Sequence, residues 1–156
     1  MLLNEAQELS EQLIANGLTI SVAESCTGGS LSRALTSIPG ASSYFDCGYI
    51  TYSNQSKVKM LGVDIQTIKT FGAVSEEVAL EMVIGLATRS HSDIAVSVTG
   101  VAGPTGGTPE KPVGTVCFGF FCDGKTITST QLFSGDRASI VSQSVSYALK
   151  QLSVRF

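Results

Sequence analysis

Residues 18–35, "LTISVAESCTGGSLSRAL", hold the pattern on which the fold turns. The run 18–23 is short, apolar and rich in β-branched side chains, the composition of a strand buried on both faces. Helical spacing resumes over 27–37 and is broken by Pro39-Gly40. Between the two lie a carboxylate, a serine, a cysteine, a threonine and two glycines. A buried strand that runs through glycines into a helix begins a parallel crossover, so the stretch predicts an α/β protein.

The flanks extend that reading. Upstream, residues 4–16 set Ala6, Leu9, Leu13 and Ile14 on one stripe and stop at Asn16-Gly17, a helix with a C-terminal glycine signal. Downstream, 45–53 reads as a strand, "NQSKVKMLGV" as a short helix and "DIQTIKTFG" as another that ends at Gly72. Ser75 is a good N-cap, with Glu76 and Glu77 in the first turn of a helix. Val78, Met82, Val83, Leu86 and Ala87 mark its inner face to about residue 90. Residues 93–100 form a second buried strand that also runs into glycines, followed by a long loop over 101–112. Two more strands, 113–122 and 126–133, flank Asp123-Gly124, a hairpin signal. A last helix over 137–152 turns Ile140, Val141, Val145, Ala148, Leu149 and Leu152 inward. The expected architecture is a three-layer α/β/α sandwich with a mixed sheet, one domain over residues 1–156. Ligands of such sheets bind beyond the carboxyl ends of the strands. The glycine-rich loops after 18–23 and after 93–99 both leave strand ends of that kind, which predicts that they lie side by side.

Composition bounds the function. The chain is 43% hydrophobic and 15% charged, a globular balance. Its net charge is -3 and no lysine/arginine cluster is present, which argues against a nucleic-acid partner. No basic n-region and no apolar run of spanning length occur, so the expectation is a cytoplasmic protein without a membrane partner. A homo-oligomer is left open. Cys26, Cys47, Cys117 and Cys122 are expected to be thiols. Cys117 and Cys122 are an odd number apart on one strand and point to opposite faces, and His91 is the single histidine, so no metal site is expected.

Several side chains near the first glycine turn can carry chemistry. Ser25 or Thr27 is a candidate N-cap. Alternatively, Ser25 is a nucleophile held beside backbone N–H groups that can bind an oxyanion or phosphate, with Gly28 and Gly29 allowing close approach. A serine needs a base. His91 lies at the polar end of a helix and is a poor one. Lys57 or Lys59, after Tyr52, can serve where burial or nearby positive charge lowers the lysine pKa. Cys26 is a rival nucleophile, although no histidine is evident to partner it. Arg137, in "FSGDRAS", can bind phosphate or pair with Asp136 or Glu110. Glu24 can order Lys57 or a ribose hydroxyl, or form a structural ion pair.

Six ordered segments, "AESCTGG", "FDCGYITYSNQSKVKMLGV", "FGAVSEEVA", "SVTGVAGPTGG", "EKPVGTVCFGF" and "FSGDR", together resemble the CinA C-terminal domain family over essentially the whole chain. The resemblance implies an α/β/α sandwich in its stand-alone form, without the extra N-terminal domain of longer members. It implies hydrolysis of the carboxamide of nicotinamide mononucleotide to nicotinic acid mononucleotide and ammonia, in pyridine nucleotide recycling, without a cofactor. It places the family's serine nucleophile on Ser25, its tyrosine on Tyr52 and its lysine on Lys57 rather than Lys59. Tyr52 is then expected to relay protons or hold the lysine. The amides near Cys26 and Thr27 would face the oxyanion, and the loop carrying Thr99, Gly100, Ala102 and Gly103 would wall the nucleotide. A non-catalytic nucleotide-binding or regulatory module is the alternative expectation.

Overall fold

The computed structural model describes residues 2–155. Five strands, β1 (Ile20–Glu24), β2 (Phe45–Ile50), β3 (Ile94–Gly100), β4 (Thr115–Cys122) and β5 (Lys125–Leu132), form one sheet in the order β2-β1-β3-β4-β5. The first three run parallel and the last two antiparallel, so the sheet is mixed as the sequence predicts. Asp123 and Gly124, both at positive φ, close the β4–β5 hairpin.

Helices α1 (Leu2–Asn16), α2 (Ser30–Thr36) and α6 (Arg137–Ser153) pack against one another on one face. They enclose a core that includes Leu9, Leu31, Val96, Phe118 and Leu149. Helix α5 (Glu76–Ser90) covers the other face, flanked by α3 (Asn54–Leu61) and α4 (Ile65–Phe71). The second core, between α5 and the sheet, includes Ala23, Leu61, Met82, Val83 and Ala95. Cys117 and Cys122 do lie on opposite faces of β4, and all four cysteines are free.

Three expectations shift. Ile14 is 51% exposed, not part of the α1 stripe. Helix α6 covers the side of Ala6, Leu9 and Leu13, where Glu5 pairs with Lys150 and accepts from Ser146, and Ile14 falls past that seam. Helix α2 starts at Ser30, three residues later than the spacing suggests, because Gly28 and Gly29 take left-handed φ values of 56° and 103°. Strand β2 ends at Ile50, and 51–53 instead lead to Ser53, whose hydroxyl caps α3 by accepting from the Ser56 amide. Among the described residues no helix is long and apolar enough to cross a membrane.

Candidate active site

The amide of Ser25 donates to the Val98 carbonyl at 2.9 Å, which fastens the turn after β1 to β3. The Thr51 amide donates to the Glu24 carbonyl at 2.8 Å and fastens it to the end of β2. Ser25 thus stands at the carboxyl ends of three parallel strands, where an α/β sheet leaves a crevice. On the far side, Gly100 permits the neighbouring loop to approach. A Cβ there would sit 3.1 Å from Cys26 Sγ and 2.9 Å from the Thr115 carbonyl. The two glycine-rich turns are therefore adjacent.

Lys57 enters this crevice from α3. The Ser53 cap fixes where the helix begins, and Gly62, at φ 72°, where it ends. One face of the helix, carrying Lys57 and Leu61, points inward. The lysine is 1% exposed. Its Nζ lies 2.9 Å from Ser25 Oγ, 3.0 Å from the Thr51 carbonyl and 3.4 Å from the Tyr52 carbonyl. Burial lowers its pKa, with the neighbouring Cys26 thiol acting weakly the other way. Of the two expected causes, burial and nearby positive charge, loss of solvent supplies the shift. A neutral amine has two N–H bonds and one lone pair. Two of its three oxygen neighbours are carbonyls, which only accept. In its charged form Nζ donates to all three, and the Ser25 hydroxyl donates in turn to the Tyr52 carbonyl at 3.4 Å; a neutral amine that gives its two N–H bonds to the carbonyls turns its lone pair to the hydroxyl of Ser25.

Cys26 is buried, and burial pushes its thiol up to about 12. Such a thiol holds no thiolate near neutral pH, which leaves the Ser25 hydroxyl as the turn's candidate nucleophile. His91 ends α5 in a left-handed conformation at the opposite end of the sheet, next to the start of β3, far from Ser25 in the fold.

Four expected roles change. Glu24 is 0% exposed and makes no ion pair with Lys57. Its carboxylate accepts from the amides of Gly29, Leu31 and Ser32 at 3.2, 2.9 and 3.0 Å and from Ser32 Oγ at 2.6 Å. It occupies the donors at the start of α2, where a helix favours negative charge, so neither Ser25 nor Thr27 is the cap and Glu24 does not face a substrate. The amides of Gly28 and Gly29 are likewise taken, by the Ser25 carbonyl and by Glu24. Among the described residues, the amides of Cys26 and Thr27 donate to no backbone or side-chain oxygen, and the buried Thr27 hydroxyl has no partner. Thr99 points away, its hydroxyl donating to the Ala73 carbonyl at 2.9 Å.

Tyr52 is the fourth. Its backbone carbonyl holds the lysine, but its ring is 57% exposed and turned elsewhere. The Tyr52 hydroxyl accepts from Arg137 Nη2 at 2.7 Å, while Arg137 Nη1 donates to the Gly103 carbonyl at 2.7 Å. Arg137 thereby joins the start of α6, the loop after β3 with buried Ala102 and Gly103, and the end of β2 into one rim. It pairs with neither Asp136 nor Glu110 among the described residues; Asp136 instead caps α6 by accepting from the Ser139 amide at 2.9 Å.

The sequence reading missed two contributors. The Thr51 carbonyl acts through the main chain, which no side-chain motif records. Gly85, inside α5, had a signal, a glycine within a helical pattern. A Cβ at Gly85 would overlap the Leu61 carbonyl, so its absence sets how closely α3, and with it Lys57, packs onto α5.

Known proteins share this sequence and this fold. Residues 3–156 match the CinA C-terminal domain. A protein of Escherichia coli (strain K12) named nicotinamide-nucleotide amidohydrolase PncC is 47% identical over 158 residues, covering 98% of this chain and 96% of that protein. A CinA-like protein of Kosmotoga olearia is 48% identical over 148 residues, covering 92% of this chain but 36% of that longer protein. Among solved structures, a CinA superfamily protein from Escherichia coli is similar with a TM-score of 0.96 at 36% identity, covering 100% of this chain and 91% of that one. A competence/damage inducible protein from Agrobacterium tumefaciens is similar with a TM-score of 0.95 at 41% identity, covering 98% of this chain and 94% of that one. The chain belongs to the CinA C-terminal domain family.

Proposed function

We propose that this protein hydrolyses the carboxamide of nicotinamide mononucleotide to nicotinic acid mononucleotide and ammonia, with Ser25 as nucleophile and Lys57 as base. The observation that carries the reading is the 2.9 Å approach of a buried lysine amine to a serine hydroxyl at the end of the central strands. Relatives of matching length that bear the name nicotinamide-nucleotide amidohydrolase support the substrate.

Ser25 Oγ attacks the carboxamide carbon as its proton passes to Lys57 Nζ. The carbonyl oxygen becomes an oxyanion, and the unbonded amides of Cys26 and Thr27 are the donors nearest the attacking atom in the chain. Lys57 returns the proton to the amide nitrogen, ammonia leaves, and an ester joins Ser25 to the nicotinate carbonyl. Water, deprotonated by the same lysine, cleaves that ester and restores the serine. Arg137, on the rim with Tyr52, is the cation for the nucleotide phosphate. The reaction serves to recycle pyridine nucleotide in the cytoplasm.

The test is release of ammonia and nicotinic acid mononucleotide from nicotinamide mononucleotide. kcat/KM should rise with pH through an apparent pKa below the ~10.4 of a free lysine. Binding of the nucleotide without turnover at any pH would instead mark a binding module.

A further inference from the structure

Tyr52 stands between the Ser25–Lys57 pair and the rim, and its two ends are held by different groups. Its carbonyl lies 3.4 Å from Lys57 Nζ and 3.4 Å from Ser25 Oγ, which fixes the main chain at the floor of the crevice. Its hydroxyl lies on the rim and accepts from Arg137 Nη2 at 2.7 Å. The ring between them is 57% exposed, so core packing does not place it.

Arg137 has two places to go. It makes no salt bridge among the described residues, so no carboxylate fixes it. On the crevice side Nη1 donates to the Gly103 carbonyl at 2.7 Å. Arg137 also lines a groove over α6, shared with Leu2, Ser30, Val141 and Ser142. Among the described residues the Tyr52 hydroxyl is the one side-chain atom that holds the guanidinium towards the crevice. A guanidinium carries five N–H donors. Two are used here, which leaves three for an anion.

We propose that Tyr52 is a positioning residue that sets selectivity for a phosphorylated amide over its dephosphorylated counterpart. Its hydroxyl holds the Arg137 fork on the crevice side, so a phosphate monoester meets a guanidinium already in place. The proposal rests on the reading of Arg137 as the phosphate cation. An arginine free to turn into the α6 groove has to be ordered by each incoming phosphate, and that ordering weakens binding. A planar fork held at two points has lost that freedom beforehand. The hydroxyl is not among the oxygens around Lys57 Nζ, so its effect belongs to the phosphate and not to proton transfer. A substrate without a phosphate gains nothing from it.

Nicotinamide mononucleotide and its dephosphorylated riboside are the two probes. Ammonia release is measured with both on the wild type, Tyr52→Phe, Arg137→Met and the double variant. Titration calorimetry of both compounds, with the same changes in a Ser25→Ala background, reads binding without turnover. Tyr52→Phe should raise KM for the nucleotide about threefold to tenfold, with kcat for the nucleotide and kcat/KM for the riboside within about twofold of wild type. Arg137→Met should cost the nucleotide about tenfold to a hundredfold in kcat/KM. Adding Tyr52→Phe to Arg137→Met should cost less than about twofold more, because the hydroxyl acts through the arginine. Equal falls in kcat on both substrates would make Tyr52 part of the proton path and overturn the proposal, as would additive losses in the double variant. If the wild type releases no ammonia, the amidohydrolase reading fails while the titrations still decide this one. Tighter binding of the nucleotide than of the riboside, weakened by Tyr52→Phe, sustains it. Equal binding of the two compounds overturns it together with the phosphate role of Arg137. A preference for the nucleotide that is lost in Arg137→Met but intact in Tyr52→Phe overturns the positioning role alone.

Discussion

Lys57 Nζ meets three oxygens, and a single one of them can give up a proton. That fact makes the site directional, and it fixes what single substitutions should do. Ser25→Ala should lower turnover at least about a thousandfold while leaving thermal unfolding close to wild type, because in the proposed mechanism the hydroxyl is the attacking atom, and it fills little of the core. Cys26→Ala should keep activity within a few fold, since a thiol pushed up to about 12 does not ionise at working pH. Steady-state ammonia release from the two variants separates the nucleophiles: equal losses would remove Ser25 from its role. Lys57→Arg retains the charge, but a guanidinium does not deprotonate. It should be as inactive as Lys57→Ala, and substantial turnover in the arginine variant would show that position 57 acts only as a cation. At this scale the letters of the sequence were informative where two side chains meet, as at Ser25 and Lys57, whose Oγ and Nζ lie 2.9 Å apart. They were misleading at Tyr52, whose carbonyl rather than hydroxyl reaches the lysine, and at Glu24, which binds a helix end. Neither choice is written in a residue's identity, because each depends on which way a turn faces.

Elements place these groups, and their packing is testable apart from the chemistry. Helix α3 carries Lys57 and leans on α5 at Gly85, where a Cβ would overlap the Leu61 carbonyl. Gly85→Ala improves intrinsic helix propensity, yet overpacking should outweigh that gain and destabilise the fold by about 1–3 kcal/mol. The displaced α3 should also draw Lys57 from Ser25, so kcat per folded molecule should fall; unchanged kcat beside a lowered Tm would show that the lysine's position tolerates the shift. Glu24→Ala strips four donors of their acceptor in a buried site and should cost about 3 kcal/mol, read from denaturant unfolding. A loss below 0.5 kcal/mol would mean that water replaces the carboxylate. Hydrophobic periodicity and cap residues made the elements legible: Ser75 does cap α5, and Asp123-Gly124 does close the hairpin. The ends moved where backbone conformation overrode pattern, as at Gly28-Gly29 before α2. The Gly85 contact was illegible, because it joins α3 to α5 across a distance that only tertiary packing closes.

For the molecule as a whole, burying Lys57 links the proposed base to the stability of the fold. Its folded pKa lies below the ~10.4 of an unfolded chain. Between the two values the unfolded chain holds a proton that the folded protein does not, so unfolding takes up a proton. Raising the pH through that window therefore stabilises the fold with respect to this group. Below the folded pKa both states are protonated and the full penalty of a buried ammonium remains; above about 10.4 it has gone. Cys26 acts in the opposite sense. Its folded pKa of about 12 lies above the ~8.5 of a free thiol, so its contribution to stability is lost as pH rises from about 8.5 towards 12. The net curve of the wild type mixes the two, but a comparison with Lys57→Met separates them. The methionine fills similar volume, keeps Cys26 and has no proton to bind. It should be more stable than the wild type at pH 7, and the gap should close as pH rises towards 10.4. Urea unfolding of both proteins from pH 6 to 10 gives the difference directly. A gap that stays flat over that range would mean that Lys57 titrates at its ordinary value, and a base of ordinary pKa, almost wholly protonated at pH 7, would leave Ser25 without the partner its chemistry requires.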